Sequence, residues 1–188
     1  MLKNQYGFDC DCKRCNNPEL FPNDKLLVAA FELPDDPAEK QQAVAQMEKF
    51  YNSLDYGTPT YDQKFEENPA LYIEKLEEFI KQPFGSRWPK AFLGKCHWRL
   101  NVVRQNLIQE LMAAEKLERS IDLLIDQMKA NDKILPKWHL QKLTAYTTLN
   151  ELMARLNLDR LDGAIKRLKK GELDLQYYKE LFWMYKEK

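Results

Sequence analysis

Long apolar runs are missing from this chain. No stretch approaches the roughly twenty residues a helix needs to cross a bilayer, so no membrane partner is expected. An excess of either charge is missing as well. Lysine plus arginine and aspartate plus glutamate each number 29, giving a formal net charge of zero. No global field then draws the molecule to nucleic acid or to an acidic lipid surface. Direct nucleic-acid binding is not expected, although a local basic patch is compatible with this balance. The residues from Met1 to Tyr6 contain no apolar core of a secretory signal, so the expected compartment is intracellular, nucleus or cytoplasm. Thiols stay reduced there. Period-two alternation is too brief anywhere to predict a strand with assurance, and glycine is scarce, at six residues.

What is present is a chain of 188 residues, 44% apolar and 31% charged. That is enough for one domain of ordinary size, or one domain with a small appendage. Residues 1–24 differ from the rest. They hold three of the four cysteines, the aromatic pair Tyr6 and Phe8, and the loop formers Asn16-Asn17-Pro18 and Phe21-Pro22-Asn23-Asp24. From residue 25 onward we expect a separate helical domain reaching to residue 188.

The helical periodicity is explicit from about residue 34. Asp36-Pro37, a capping residue followed by a first-turn proline, predicts a helix bearing Val44, Met47, Phe50, Tyr51 and Leu54. Asn68-Pro69 opens a second, with Tyr72, Leu76, Phe79 and Ile80 on one face, ended by Pro83 and Gly85. A third is expected from near Trp88-Pro89, carrying Phe92, Cys96, Leu100, Val103, Leu107 and Leu111. Ile121, Leu124, Ile125 and Met128 mark a fourth, closed by Asn131. Pro136 opens a fifth with Leu143, Tyr146, Leu149, Met153 and Leu156. A sixth carries Leu161, Ala164, Ile165 and Leu168, and a last one Leu175, Tyr178, Leu181, Phe182 and Tyr185. Leu26 to Phe31 is an apolar run of ambiguous type. The expected fold class is all-α, with antiparallel hairpins stacked in a tetratricopeptide-like manner behind a short zinc-binding segment. No strict repeat of about 34 residues underlies it.

The sharpest chemical feature is Cys10-Asp11-Cys12-Lys13-Arg14-Cys15, a C-x-C-x2-C arrangement. Three thiolates this close can face one cation, and zinc suits them because it accepts soft sulfur ligands in a tetrahedron. Lys13 and Arg14 offset part of the thiolate charge. The alternative is a terminus of free thiols. A complete site of this kind contributes folding free energy on the order of 10 kcal/mol, and without it residues 1–24 have little apolar surface to order them.

The run Tyr6-Gly7-Phe8-Asp9-Cys10-Asp11-Cys12-Lys13-Arg14-Cys15 resembles the post-SET segment of SET-domain protein lysine methyltransferases. The likeness is densest over about fifteen residues, and the helical region behind it is similar in architecture to the C-terminal domain of the SET-and-MYND subgroup. The resemblance implies that Cys10, Cys12 and Cys15 share zinc with a fourth cysteine of a SET core. It also implies that Phe8, and less directly Tyr6, close the channel for cofactor and substrate lysine. The family's Asn-His pair, Gly-x-Gly loop and catalytic tyrosine should precede this segment and are not in the chain. The expectation is therefore a fragment or split part of such an enzyme. It would depend on the missing SET core for S-adenosylmethionine binding and be catalytically incomplete alone, with no catalytic residue of its own. Its partners would be a protein substrate or peptide. A free-standing helical interaction module that binds peptide is the alternative, and a scaffold that has lost the parental activity is a third.

Other candidates carry plainer explanations. Cys96 is in phase with Phe92, Leu100 and Val103, which predicts a small core residue and not a metal ligand. A Cys96–His97 hydrolase pair is disfavoured, since adjacent side chains on one helix point about 100° apart. His139 is expected at the surface or as a cap. Of the aromatics Tyr177, Tyr178, Phe182, Trp183 and Tyr185, most should pack the last helix, with Trp183 out of phase and free to contact a partner.

Overall fold

The capping signals of the sequence set where the helices begin. Asp36 accepts the backbone N–H of Glu39 at 2.8 Å and Pro37 occupies the first turn. Together they satisfy one orphan donor and pre-set the first helical φ. The computed structural model describes residues 23–136 and 139–156. Its elements in chain order are α1 (Asn23–Leu26), β1 (Ala30–Phe31), α2 (Pro37–Asn52), α3 (Gln63–Glu67), α4 (Pro69–Lys81), β2 (Phe92–Leu93), α5 (Trp98–Ala113), α6 (Leu117–Ile134) and α7 (Leu140–Arg155). The described part is thus predominantly helical, as expected. The cysteine segment, Trp138, and the two helices expected after residue 157 lie outside the described residues.

The second expected helix is α4. Asn68 caps it by accepting from Leu71 N–H at 3.3 Å, and Tyr72, Leu76 and Phe79 are buried as their spacing requires. Between α2 and α4 the short α3, capped by Asp62 through Lys64 N–H at 3.1 Å, was not predicted. It buries no residue of its own, so it leaves no apolar periodicity to read. Gly85 takes a left-handed φ of 75° in the turn beyond α4, a conformation that glycine adopts without strain.

The third helix begins ten residues later than expected, at Trp98. Phe92 and Leu93 instead form β2, antiparallel to β1 in the register Ala30↔Leu93 and Phe31↔Phe92. This pairing resolves the ambiguous run: Leu26 ends α1 and Ala30–Phe31 become a strand. Two-residue strands are too short to show alternation, which is why they were invisible. Cys96 then sits in the turn before α5, buried but not helical. The helix-phase argument for it fails, while its burial stands.

The fourth helix runs past Asn131, which is buried within α6. It stops at Ile134, two residues before Pro136, whose ring disfavours helix in the residue ahead of it. The fifth starts at Leu140 and not at Pro136. Its cap is His139, whose Nδ1 accepts Gln141 N–H at 3.2 Å.

One apolar core joins these elements. α5 lies between α4 and α6, and α6 also packs against α7 and α1. Flanked on several sides, α6 buries Leu117, Ile121, Leu123, Leu124, Ile125, Met128 and Ala130, most of its circumference. α2 is joined to this body through aromatic edges: Phe50 meets Phe79 at 5.3 Å, and Tyr51 meets Trp98 at 5.4 Å. No described helix is long and apolar enough to cross a membrane.

Candidate functional site

Cys10, Cys12, Cys15, Phe8 and Tyr6 all lie outside the described residues, so the structure does not place them. Among the described residues no group of three or more histidine, cysteine or acidic side chains is arranged to hold a metal ion. Three closely spaced thiols are nonetheless a donor set that suits zinc by its chemistry.

The remaining cysteine sits in a structural knot. Cys96 is a buried free thiol. Arg104, buried on α5, donates from Nη1 to the Lys95 carbonyl at 2.7 Å and to Asn101 Oδ1 at 3.1 Å, and Asn101 donates to the Cys96 carbonyl at 3.4 Å. These bonds fix the turn that leads from β2 into α5. Burial pulls the pKa of Arg104 below its ordinary value, with Asp126 and Cys96 acting in the opposite sense.

His97 follows as the cap of α5. Its Nδ1 accepts the Arg99 N–H at 3.2 Å and its ring stacks beside Trp98. Burial, and secondarily the charge of Arg99, lowers its pKa to about 4, so the ring is neutral at pH 7. A neutral ring with Nδ1 committed to a helix N–H is arranged to cap, not to take a proton from a neighbouring thiol. Arg99 itself spans three groups, with its guanidinium 4.6 Å from the Trp98 ring centre, 5.5 Å from that of Tyr51, and 2.9 Å from Glu48. The layer ties α2 to α5.

Two surface features are better placed for recognition. The first is an apolar platform: Phe31 and Phe92 stack across the β1–β2 pair at 5.3 Å, each about half exposed at 47%. Val28 and Leu26, also exposed, lie just ahead of Phe31 in the chain.

The second is a cleft over α6, walled by α5 and α7. The connections from α5 to α6 and from α6 to α7 are short, so each reverses the chain and leaves α5 and α7 running the same way. Gln105 and Gln109 line one wall, and Gln141, Thr144 and Thr148 the other. Gln127 projects from α6, and Ile108, Leu124 and Ala145 form an apolar floor. Spacings of four, and of three and four, keep each row on one helix face. The space amounts to about 130 Å³, the scale of one aliphatic side chain and well below that of a metabolite pocket. None of the described lining residues is charged.

This cleft was missed in the sequence because glutamine and threonine at helical spacing look like any solvated face. The one available signal was the lack of lysine and glutamate at those positions in a chain otherwise rich in both. A broader groove borders α2, with Gln46, Lys49, Ser53, Lys75 and Glu78 around it, but it is shallow and mixed in charge. No protein-family model matches the chain, and no curated protein sequence matches it.

Proposed function

We propose that this chain is the zinc-binding and helical C-terminal part of a SET-type protein lysine N-methyltransferase. Cys10, Cys12 and Cys15 would hold zinc with a sulfur supplied by the SET core, and Phe8 and Tyr6 would line the channel of the assembled enzyme. Zinc there would act as a structural clip. S-adenosylmethionine would bind only once the core is present. The helical unit, tetratricopeptide-like in this reading, would flank the channel and help select the protein substrate.

The observation that carries the proposal is the Tyr6-Gly7-Phe8-x-Cys10-x-Cys12-x-x-Cys15 run in the sequence. The exposed Phe31–Phe92 platform supports it. A half-exposed aromatic pair is the kind of apolar surface that a partner domain would cover.

Elemental analysis of the purified chain tests this directly. The expectation is one zinc per chain or per assembled enzyme, lost in Cys12→Ser. Equal zinc in both proteins would remove the metal assignment. Reading the coding sequence ahead of Met1 tests the parentage: an in-frame Asn-His pair and Gly-x-Gly loop are expected, and a stop codon would count against it.

A second reading, a non-catalytic helical module that contacts other proteins, is favoured by the uncharged cleft between α5 and α7. It is compatible with the first, since substrate selection also calls for a protein-contacting surface.

A further inference from the structure

We propose that the α5–α6–α7 cleft binds an uncharged, extended polypeptide segment by its main chain, with one apolar side chain seated on the floor. This deepens the protein-contacting reading of the helical unit and is independent of the zinc assignment. Four primary amides converge on the cleft, from Gln105, Gln109, Gln127 and Gln141. None of them makes a side-chain hydrogen bond among the described residues. A carboxamide offers one acceptor and adjacent donors, the complement of a peptide unit, so each can accept from and donate to the same main chain.

The threonines narrow the chemistry further. Thr144 donates its hydroxyl to the Leu140 carbonyl at 3.2 Å, and Thr148 donates to the Thr144 carbonyl at 3.0 Å. Both hydroxyl protons are thereby spent within α7, and the oxygens face outward as acceptors only. Acceptors of this kind match peptide N–H groups and offer nothing to a carboxylate or phosphate. Among the described lining residues there is no lysine, arginine or acid, so a charged ligand group would meet no direct counter-charge from them.

The shape fits a chain better than a small molecule. At the C-terminal ends of its walls Arg155 ties α7 to α5, donating to the Met112 carbonyl at 3.3 Å and pairing with Glu115. In the N-terminal halves of the walls stand the exposed Val102 and Leu140. An occupant therefore enters over apolar side chains, crosses the amide rows, and places a residue of leucine or valine size on Ile108, Leu124 and Ala145.

The test is selection of a library of random dodecapeptides against the full chain, with Gln105→Ala/Gln109→Ala and Thr148→Trp as comparison proteins. The expected peptides are uncharged at the contacting residues. They should lose about tenfold or more in affinity for both variants, equivalent to roughly 1.4 kcal/mol. Their affinity should barely change between low and high salt, and N-methylation of alternate peptide nitrogens should cost about tenfold at two or more positions. The two glutamines are exposed, so their alanine variant folds independently of whether Thr148→Trp does. N-methylation changes nothing in the protein. Selected peptides that bind the variants equally, or that tolerate every N-methylation, would overturn the cleft assignment while leaving a protein-contacting unit in place. Failure of any peptide to enrich on the wild-type chain would overturn both.

Discussion

Arg155, in the last turn of α7, donates a hydrogen bond of 3.3 Å to the main-chain carbonyl of Met112, in the last turn of α5. The same guanidinium pairs with Glu115, which has a left-handed φ of 58°. Glu115 ends α5 in the place glycine usually takes: its N–H reaches the Met112 carbonyl at 3.2 Å and the next N–H, of Lys116, reaches Leu111 at 2.8 Å. Arg155 therefore clamps a strained helix end. The side chains are partly solvated, so we expect Arg155→Met to lower stability by no more than about 1 kcal/mol, as exposed pairs generally do. Urea unfolding measures it. A loss of several kcal/mol would mean that the clamp belongs to the core.

A core position should behave differently. Leu107 on α5 is fully buried in the helical core, and α5 packs on both α4 and α6. Leu107→Ala removes packed atoms and leaves a cavity, so the expected cost is about 2–5 kcal/mol. Val102→Ala, on the exposed side of the same helix, should stay within about 0.5 kcal/mol. Similar midpoints for the two variants in parallel denaturant titrations would contradict the burial assigned to Leu107.

Tyr72 provides a polar counterpart. Its hydroxyl donates to the Leu54 carbonyl at 2.8 Å, and the bond is buried. Burial raises the phenol pKa well above its ordinary value, so the donor stays protonated across the working pH range. Tyr72→Phe keeps the ring among Tyr56, Tyr61 and Phe65 but leaves the carbonyl unpaired. The expected cost is about 1–3 kcal/mol. Thermal unfolding of this variant, set beside an exposed control such as Tyr56→Phe, isolates the hydrogen bond from the ring.

What the sequence disclosed and what it hid divide along physical lines. Asp36-Pro37 and Asn68-Pro69 announced their helices because a cap and a first-turn proline act within one turn and owe nothing to tertiary context. The register of Tyr72, Leu76 and Phe79 was legible for the same reason. The start of α5 was not, since whether Phe92 continues a helix or joins a strand depends on Phe31, some sixty residues earlier. His97 as a cap was equally hidden, because histidine is an uncommon capping residue and its ring nitrogen must be aimed by the β2 turn. The glutamine rows of the cleft carry no charge and no apolar period. Only the packing of α5 and α7 over α6 gives them a common space.

Zinc and helix should come apart under chelation. The described core, from Ala43 to Leu156, already buries large side chains such as Tyr72, Phe79, Leu107 and Met128 within the helices themselves. We expect a chelator to strip metal from the chain while the far-ultraviolet helical signal falls only slightly. Cooperative loss of that signal with zinc would show that the cysteine segment holds the helical unit together.

His97 should make stability depend on pH in a narrow window. Its folded pKa is about 4, against an ordinary 6.5, because burial and the nearby Arg99 charge penalise the imidazolium. Between those values the unfolded chain binds a proton that the folded chain does not, so stability falls as the solution is acidified from about pH 6.5 toward pH 4. Below pH 4 both states are protonated at this group and its contribution is flat. The shift corresponds to a contribution on the order of 3 kcal/mol. Protonation would also convert Nδ1 from acceptor to donor and break the cap on Arg99 N–H. His97→Asn retains a side chain that can cap but does not titrate. Denaturant midpoints measured from pH 7 to pH 4 should therefore fall more steeply for the wild type than for His97→Asn. Parallel curves for the two proteins would show that the ring is solvated and titrates normally.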